Sequence, residues 1–95
     1  PWLIKRQTAA TAHAGGLHDR GVIAPGKKAD LNVLDPALLG MATPHMQFDL
    51  PAGGRRLLQR ASGYVATIVS GTPVYRDGQS TGALPGRVVR GPQAP

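Results

Sequence analysis

Apolar and polar residues alternate most regularly in the segment ADLNVLD, residues 29–35, where every second residue is apolar. A period of two is the period of a strand with one buried face. The following Pro36 cannot donate to a strand ladder, so it marks the end of the segment. The sequence therefore predicts a strand over residues 29–35.

A second β pattern lies in YVATIVS (residues 64–70) and TPVYR (residues 72–76), which are rich in β-branched and aromatic residues and are separated by Gly71. The Asp77-Gly78 dipeptide that follows is a strong turn signal. We predict a β-hairpin with a further turn after it. Because Pro73 lacks an N–H group, the second strand should be an edge strand or should begin near this proline.

The remaining pattern is weaker. Residues 3–14 contain good helix formers and are stopped by Gly15-Gly16, which predicts one short helix with only a weak apolar stripe. Residues 22–23 are expected to be a brief extended piece before a type II turn at Pro25-Gly26. Residues 36–54 are divided by prolines and glycines, so we expect irregular structure with one helical turn at residues 36–39, and residues 56–60 fit either a strand or a helical turn.

One motif suggests chemistry, because GVIAPGKK (residues 21–28) comes within one residue of the phosphate-binding pattern G-x-x-x-x-G-K-[ST]. Such a loop needs a hydroxyl ligand for magnesium and a helix N-terminus that faces the phosphates. Here Lys28 takes the hydroxyl position, a strand pattern follows instead of a helix, and Pro25 removes one N–H donor. We therefore interpret the segment as a tight turn between extended pieces with solvated lysines.

Composition limits the chain to one small domain. It has 95 residues, 41% of them apolar, with only four aromatic side chains and with 13 glycines and nine prolines. The absence of cysteine excludes disulfides and thiolate metal sites. No apolar run is long enough to cross a membrane, and we expect a soluble, cytoplasmic protein that has no membrane partner.

The net charge of +6 arises from 11 basic and five acidic residues. A free-standing basic β-module that binds nucleic acid is therefore an alternative. The basic residues are scattered, however, and no nucleic-acid-binding motif accompanies them. We interpret the charge as a solvated surface and expect no nucleic-acid partner.

No catalytic, cofactor-binding or metal-binding residue can be assigned. The histidines His13, His18 and His45 lack the spacing of metal ligands. The adjacent pair His18-Asp19 is a weak candidate for an enzyme site, and its support is adjacency alone. The serines at positions 62, 70 and 80 lie in turn-like contexts rather than in a nucleophile motif.

Two segments in order, GLHDRGVIAPGKKADLNVLD (residues 16–35) and YVATIVSGTPVYRDGQSTGALPGRVVRG (residues 64–91), resemble the C-terminal end of metal-dependent amidohydrolases. The first follows the family pattern G-x-I-x-x-G-x-x-A-D-[LV]-x-[VIL]-x-D. The second follows V-x-x-x-[IV]-x-x-G-x-x-[VI]-x-x-x-G when the spacing is allowed to differ by one residue. The GL-x-DRG lead-in and the T-G-A-x-P-G-R ending (residues 81–87) resemble the D-aminoacylase, or N-acyl-D-amino-acid deacylase, branch. The matching positions are Gly21, Ile23, Gly26, Ala29, Asp30, Leu31, Val33 and Asp35, then Val65, Val69, Gly71, Val74 and Gly78.

The resemblance implies a longer parent whose (β/α)8 barrel holds one or two metal ions, usually zinc, that activate water against an amide. The family's catalytic residues would lie upstream of Pro1, so these 95 residues should contain no cofactor and catalyse nothing alone. We expect a mainly β fold, a small β-sandwich with one short N-terminal helix, divided into a helix and linker (1–20), a β domain (21–90) and a disordered tail (91–95). The expected partner is the barrel of the same chain, and exposed strand edges should also favour self-association.

Overall fold

The fold is mainly β, as predicted, with 31% of residues in strands and 16% in helices. The computed structural model describes all residues from 1 to 95. Its strands, in chain order, are β1 (Leu31–Leu34), β2 (Gly40–Met41), β3 (His45–Gln47), β4 (Arg56–Leu58), β5 (Ala61–Ser62), β6 (Tyr64–Val69), β7 (Thr72–Arg76) and β8 (Gln79–Ser80).

The N-terminal helix is divided into two six-residue pieces, α1 (Trp2–Gln7) and α2 (Ala9–Ala14). The division falls at Thr8, whose backbone angles (φ −123°, ψ −88°) leave the helical region. The Thr8 hydroxyl donates to the Ile4 carbonyl at 2.7 Å, a local bond that competes with regular helix geometry. Neither piece contains a fully buried residue, and Gly21 packs closely on α2 beside Ala9 and Ala12. No helix in the structure has the length and apolar character that a membrane span requires.

A four-stranded antiparallel sheet is the centre of the fold, with strand order β1-β6-β7-β8. The predicted hairpin is confirmed as β6 and β7, and the alternating segment at residues 29–35 is confirmed as β1. The β6–β7 turn uses Ser70 (φ 51°) and Gly71 (φ 79°), and the β7–β8 turn uses Asp77 (φ 47°) and Gly78 (φ 77°). Two central residues with positive φ form a type I′ turn, whose twist matches that of the strands it joins.

The segment before β1 contains the predicted type II turn. The Lys27 N–H donates to the Ala24 carbonyl at 3.1 Å across Pro25 and Gly26, and Gly26 has the positive φ of 82° that this turn needs. The expected extended piece at residues 22–23 pairs with no strand.

The region between β1 and β6 contains four strands, of which only β4 was anticipated, because a strand was one of the two alternatives for residues 56–60. Strand β2 pairs with β5, and β3 pairs with β4, both in antiparallel register. The pairing continues the β1–β6 ladder, because the Asp35 N–H donates to the Gly63 carbonyl at 2.8 Å and the Ala42 N–H donates to the Arg60 carbonyl at 2.8 Å. We call residues 40–62 the hairpin arm; a 3-10 turn at Pro51–Gly53 lies at its tip. The prediction of irregular structure for residues 36–54 was wrong for β2 and β3. At residues 36–39, where one helical turn was expected, the chain forms a turn closed by one hydrogen bond, from the Leu38 N–H to the Asp35 carbonyl.

The structure has no closed hydrophobic core, since none of the 95 residues is buried. Its accessible surface is 7585 Å², whereas a compact protein of this mass exposes about 5,200 Å². The radius of gyration is 15.7 Å, against about 12.4 Å for a compact domain of this length. One face of the main sheet carries Leu31, Val33, Ala66, Ile68 and Pro73, and no helix or other strand packs across it.

The chain returns to the helices near its end. Gln93 forms a parallel bridge with Leu17. Its carbonyl accepts the His18 N–H at 3.0 Å, and its own N–H donates to the Gly16 carbonyl at 2.8 Å. Gln93 lies within the segment 91–95 that the sequence analysis assigns to a disordered tail; the division into domains stays a prediction.

Candidate functional site

The structure does not gather the histidines into a metal site. The rings of His13 and His18 meet edge to face with their centroids 5.3 Å apart, while His45 lies in β3 of the hairpin arm. No group of three or more histidine, cysteine, aspartate or glutamate side chains that could hold a metal ion is present. Because a protein zinc site needs at least three such ligands, these residues do not fit the zinc that the family resemblance implies.

The adjacent pair His18-Asp19 does not form an acid–base unit. Both carboxylate oxygens of Asp19 accept hydrogen bonds from Arg20, at 2.8 Å from Nε and 2.9 Å from Nη2. These bonds hold the pKa of Asp19 below its usual range and raise that of Arg20. The carboxylate is therefore already paired, and it does not hydrogen-bond the histidine beside it in sequence.

Both lysines of GVIAPGKK donate a hydrogen bond to the chain itself, Lys27 through its side chain and Lys28 through its backbone. The Lys27 Nζ donates to the His18 carbonyl at 2.8 Å, and the Lys28 N–H donates to the Asp19 carbonyl at 2.8 Å. Strand β1 follows, so no helix N-terminus faces this loop. The geometry is that of a structural turn and offers no phosphate cradle.

Asp30, the aspartate of the A-D motif, contacts two separate segments of the chain through its carboxylate. Its Oδ1 accepts the Ser70 N–H at 2.8 Å, and its Oδ2 lies 3.5 Å from Arg20 Nη1. Beside it the Gly71 N–H donates to the Ala29 carbonyl at 2.9 Å. We call Asp19, Arg20, Asp30 and Ser70 the Asp30 node; it joins the linker after α2 to the β6–β7 turn.

The chemistry of the Asp30 node is structural. A carboxylate that accepts a backbone N–H in a positive-φ turn compensates for the strain of a non-glycine residue there, and Ser70 has a φ of 51°. Ser70 contributes its backbone N–H rather than its hydroxyl, and the single cation, Arg20, is shared by the carboxylates of Asp19 and Asp30. Sequence reasoning used Asp30 only as a family marker. Its partner Ser70 is 40 residues away, so no local signal identified the contact.

The surface has two adjoining open cavities at the base of the hairpin arm. The larger, of about 520 Å³, lies between the arm and the β7–β8 turn, and Tyr64 and Tyr75 line it together with Arg60 and Asp77. The smaller, of about 310 Å³, includes Asp35 and again Asp77. Neither cavity contains a nucleophile hydrogen-bonded to a base, which acyl transfer by a side chain would require.

Basic residues largely lack acidic partners. Of the 11 lysines and arginines, only Arg20 and Arg56 form ion pairs, which leaves nine without one. Arg56 pairs with Asp49 through two hydrogen bonds, which hold the pKa of Asp49 below its usual range. The unpaired cations are distributed over the helices, the loop before β1, the arm, β7 and the C-terminal segment, and nothing supports the nucleic-acid alternative.

Comparison with known proteins gives one match. A sequence model described as "Amidohydrolase family" matches residues 3–75, which is more than half of the chain and includes the A-D motif and the β6–β7 hairpin. No curated protein and no solved structure matches the chain. The predicted amidohydrolase resemblance is therefore confirmed at the level of the family, and the D-aminoacylase branch stays a prediction. This chain belongs to the amidohydrolase family.

Proposed function

We propose that these 95 residues are a structural β domain of an amidohydrolase and that they carry none of its catalytic groups. One observation supports this most directly. The Asp30 node lies at the A-D motif, inside the segment that matches the family. Its charged side chains are hydrogen-bonded to one another and to the backbone. Because these charged side chains already bond within the chain, they stabilise the fold and are not free to attack a substrate.

The amount of exposed surface supports a partner for this domain. The chain exposes 7585 Å², about 2,400 Å² more than a compact protein of its mass. An excess of this size is comparable to the area that large permanent interfaces bury. The uncovered sheet face and the exposed α1 side chains Trp2, Leu3 and Ile4, which are 70%, 61% and 63% exposed, provide apolar area for such a contact. We infer that the partner is a catalytic barrel in the same polypeptide.

We further propose that the parent belongs to the D-aminoacylase, or N-acyl-D-amino-acid deacylase, branch. Two sequence features support this assignment, and residues of both form side-chain hydrogen bonds in the structure. The Asp19-Arg20 pair of the GL-x-DRG lead-in forms the bidentate contact of the Asp30 node. Thr81 of the T-G-A-x-P-G-R ending donates its hydroxyl to the Pro73 carbonyl at 2.7 Å, which ties the segment after β8 to β7. The expected substrates are N-acyl-D-amino acids, and any zinc would be held by residues outside this chain.

The proposal is tested by assaying the 95-residue chain for hydrolysis of N-acetyl-D-amino acids, with and without added Zn²⁺. We expect no turnover in either condition, because no side-chain cluster can hold the metal or activate water. A longer polypeptide in which these residues follow a catalytic domain should hydrolyse the N-acetyl-D-amino acids. The N-acetyl-L-amino acids are the control, and the longer polypeptide should leave them intact. Metal-dependent turnover by the 95 residues alone would overturn the structural role, and preference for L substrates in the longer protein would overturn only the branch.

A further inference from the structure

The larger of the two cavities, of about 520 Å³, is lined by two charged residues of opposite sign, Arg60 on the hairpin arm and Asp77 in the β7–β8 turn. Neither residue forms an ion pair. The side-chain hydrogen bonds at this cavity are those of Gln59 and Thr67, which donate to other segments of the chain. The guanidinium of Arg60 and the carboxylate of Asp77 therefore both lack a partner within the chain. We call this cavity the arm cavity.

The floor of the arm cavity is one face of the main sheet. Thr67 and Tyr75 are directly opposite each other in the β6–β7 pair, so they lie on the same face. Tyr64, at the start of β6, also lines the cavity. The two tyrosines are 41% and 47% exposed, so each ring offers aromatic surface to the apolar part of a ligand.

The arm cavity lies away from the surface that the proposed barrel would cover. Ala66, on the uncovered apolar face of the sheet, is the neighbour of Thr67 along β6. Because successive side chains of a strand point to opposite faces, the floor of the arm cavity and the apolar face are on opposite sides of the sheet. A barrel packed on the apolar face therefore leaves the arm cavity accessible.

Two other charged residues are near the arm cavity in the fold, and neither lines it. Arg76 follows Tyr75 along β7, so it belongs to the other face of the sheet. Asp35 lines the adjoining smaller cavity instead, and its carboxylate accepts the Ala37 N–H at 3.0 Å. A ligand in the arm cavity therefore meets one cation, on the arm, and one anion, on the turn.

We propose that the arm cavity binds a free α-amino acid, with the ligand carboxylate at Arg60, its ammonium at Asp77 and its side chain against the two tyrosine rings. A guanidinium binds a carboxylate through two parallel hydrogen bonds. A zwitterion pairs both charges of the cavity at once, whereas a simple anion or cation leaves one of them unpaired. The volume is within the roughly 300–1,000 Å³ of small-molecule sites. Because both charged groups are exposed, the affinity is expected to be millimolar.

A free amino acid is also the product of the parent's reaction, a link that rests on the proposed function. Hydrolysis of an N-acyl-amino acid adds water across the amide bond, which releases the acyl group as a carboxylate and the amino acid with a protonated amine. The nitrogen of the substrate is an uncharged amide, so it offers no cation to Asp77. The arm cavity therefore binds the product in preference to the substrate.

The test is an NMR titration of the isotope-labelled 95-residue chain with D-phenylalanine, in a buffer well below the pKa of an α-amino group. The amides of Arg60, Asp77 and Gly78 are expected to shift at millimolar ligand. Two blocked ligands remove one charge each: N-acetyl-D-phenylalanine lacks the ammonium, and D-phenylalanine amide lacks the carboxylate. Each should bind about fivefold more weakly, the effect of one exposed ion pair.

Variants assign each charge to its residue. In Asp77→Asn, which keeps a residue type that tolerates positive φ, D-phenylalanine and its N-acetyl derivative should bind equally. In Arg60→Gln, D-phenylalanine and its amide should bind equally. The matched control is Arg87→Gln, which removes an unpaired arginine that does not line the cavity and should keep both preferences.

Three results overturn the proposal: no shift at the cavity amides up to the solubility limit of the amino acid, equal binding of all three ligands, or preferences that survive both cavity variants in folded protein. The comparison of the three ligands uses the unaltered chain, so it decides the matter even if a variant fails to fold. The titration needs no hydrolysis. Failure of binding therefore leaves the proposed function intact, and failure of the longer polypeptide to hydrolyse its substrates leaves the binding site intact.

Discussion

Gly63 is the residue at which replacement by alanine should separate the hairpin arm from the main sheet. It lies between β5 and β6 with a φ of 87°. A Cβ atom here would be 2.7 Å from the Leu39 nitrogen and 2.8 Å from the Leu38 carbonyl carbon, both of which are backbone atoms. The Gly63 carbonyl also accepts the Asp35 N–H, the bond that begins the arm.

The expected cost of Gly63→Ala is the sum of two effects. A residue with a Cβ atom in the left-handed region costs about 1–2 kcal/mol. Backbone atoms cannot rotate away as a side chain can, so the turn at residues 36–38 must move and lose the Asp35–Gly63 bond, which is worth about 1 kcal/mol. A total of about 2–3 kcal/mol shifts the equilibrium constant between the closed and the open arm by roughly 30- to 150-fold.

Amide hydrogen exchange measured by NMR provides the assay. In Gly63→Ala, the amides of Asp35 and Ala42 should lose their protection, whereas the amides within β7 should keep theirs, because that hairpin does not depend on the arm. The control is Gly71→Ala, which also places alanine at a positive φ (79°) but has no atom within 4 Å of the added Cβ. If Asp35 and Ala42 remain protected in Gly63→Ala, or lose protection equally in Gly71→Ala, the steric reasoning is refuted.

Two further predictions concern the ion pairs. Asp30→Ala removes the acceptor of the Ser70 N–H. Because this is a partly exposed hydrogen bond to a charged group, its loss should lower the free energy of unfolding by about 1 kcal/mol. The amide of Ser70 should then exchange its hydrogen faster, and unchanged exchange contradicts the prediction. The second concerns the Asp49 carboxyl, whose pKa is lowered by its hydrogen bonds from Arg56. The pair's stabilisation should therefore be complete above the ordinary carboxyl pKa and lost as the pH falls through the lowered folded value. In an NMR titration the Asp49 midpoint should rise when Arg56 becomes Gln, and an equal midpoint in both proteins would disprove the coupling.

The sequence predicts the elements whose signals are local. The β6–β7 hairpin combines β-branched strand residues with the turn residues Ser70 and Gly71, and the positive φ angles confirm the turn. The type II turn at Pro25-Gly26 follows in the same way, because proline fixes one angle and glycine permits the next. In both cases the residues that determine the conformation are the residues that adopt it.

The hairpin arm and the Asp30 node depend on distant partners, and for that reason the sequence does not predict them. Strands β2 and β5 are two residues long and pair across about 20 residues of chain, so neither contains a period that could be recognised. The hydrogen bond that the Ser70 N–H donates to Asp30 spans 40 residues. For the His18-Asp19 pair, adjacency in sequence corresponds to no hydrogen bond in the structure, where Asp19 is held by Arg20 instead.

The continuous ladder from β1 through the arm to β6 makes the arm a removable insertion. Leu34 already pairs with Tyr64, and Asp35 with Gly63, before the chain departs into the arm. A tight connection at that point would close the same hairpin without residues 36–62, and longer connections add only slowly to the entropy of closure. Relatives with the same sheet can therefore differ widely in arm length, and a designer could exchange the arm for a different loop while keeping the register of the four-stranded sheet.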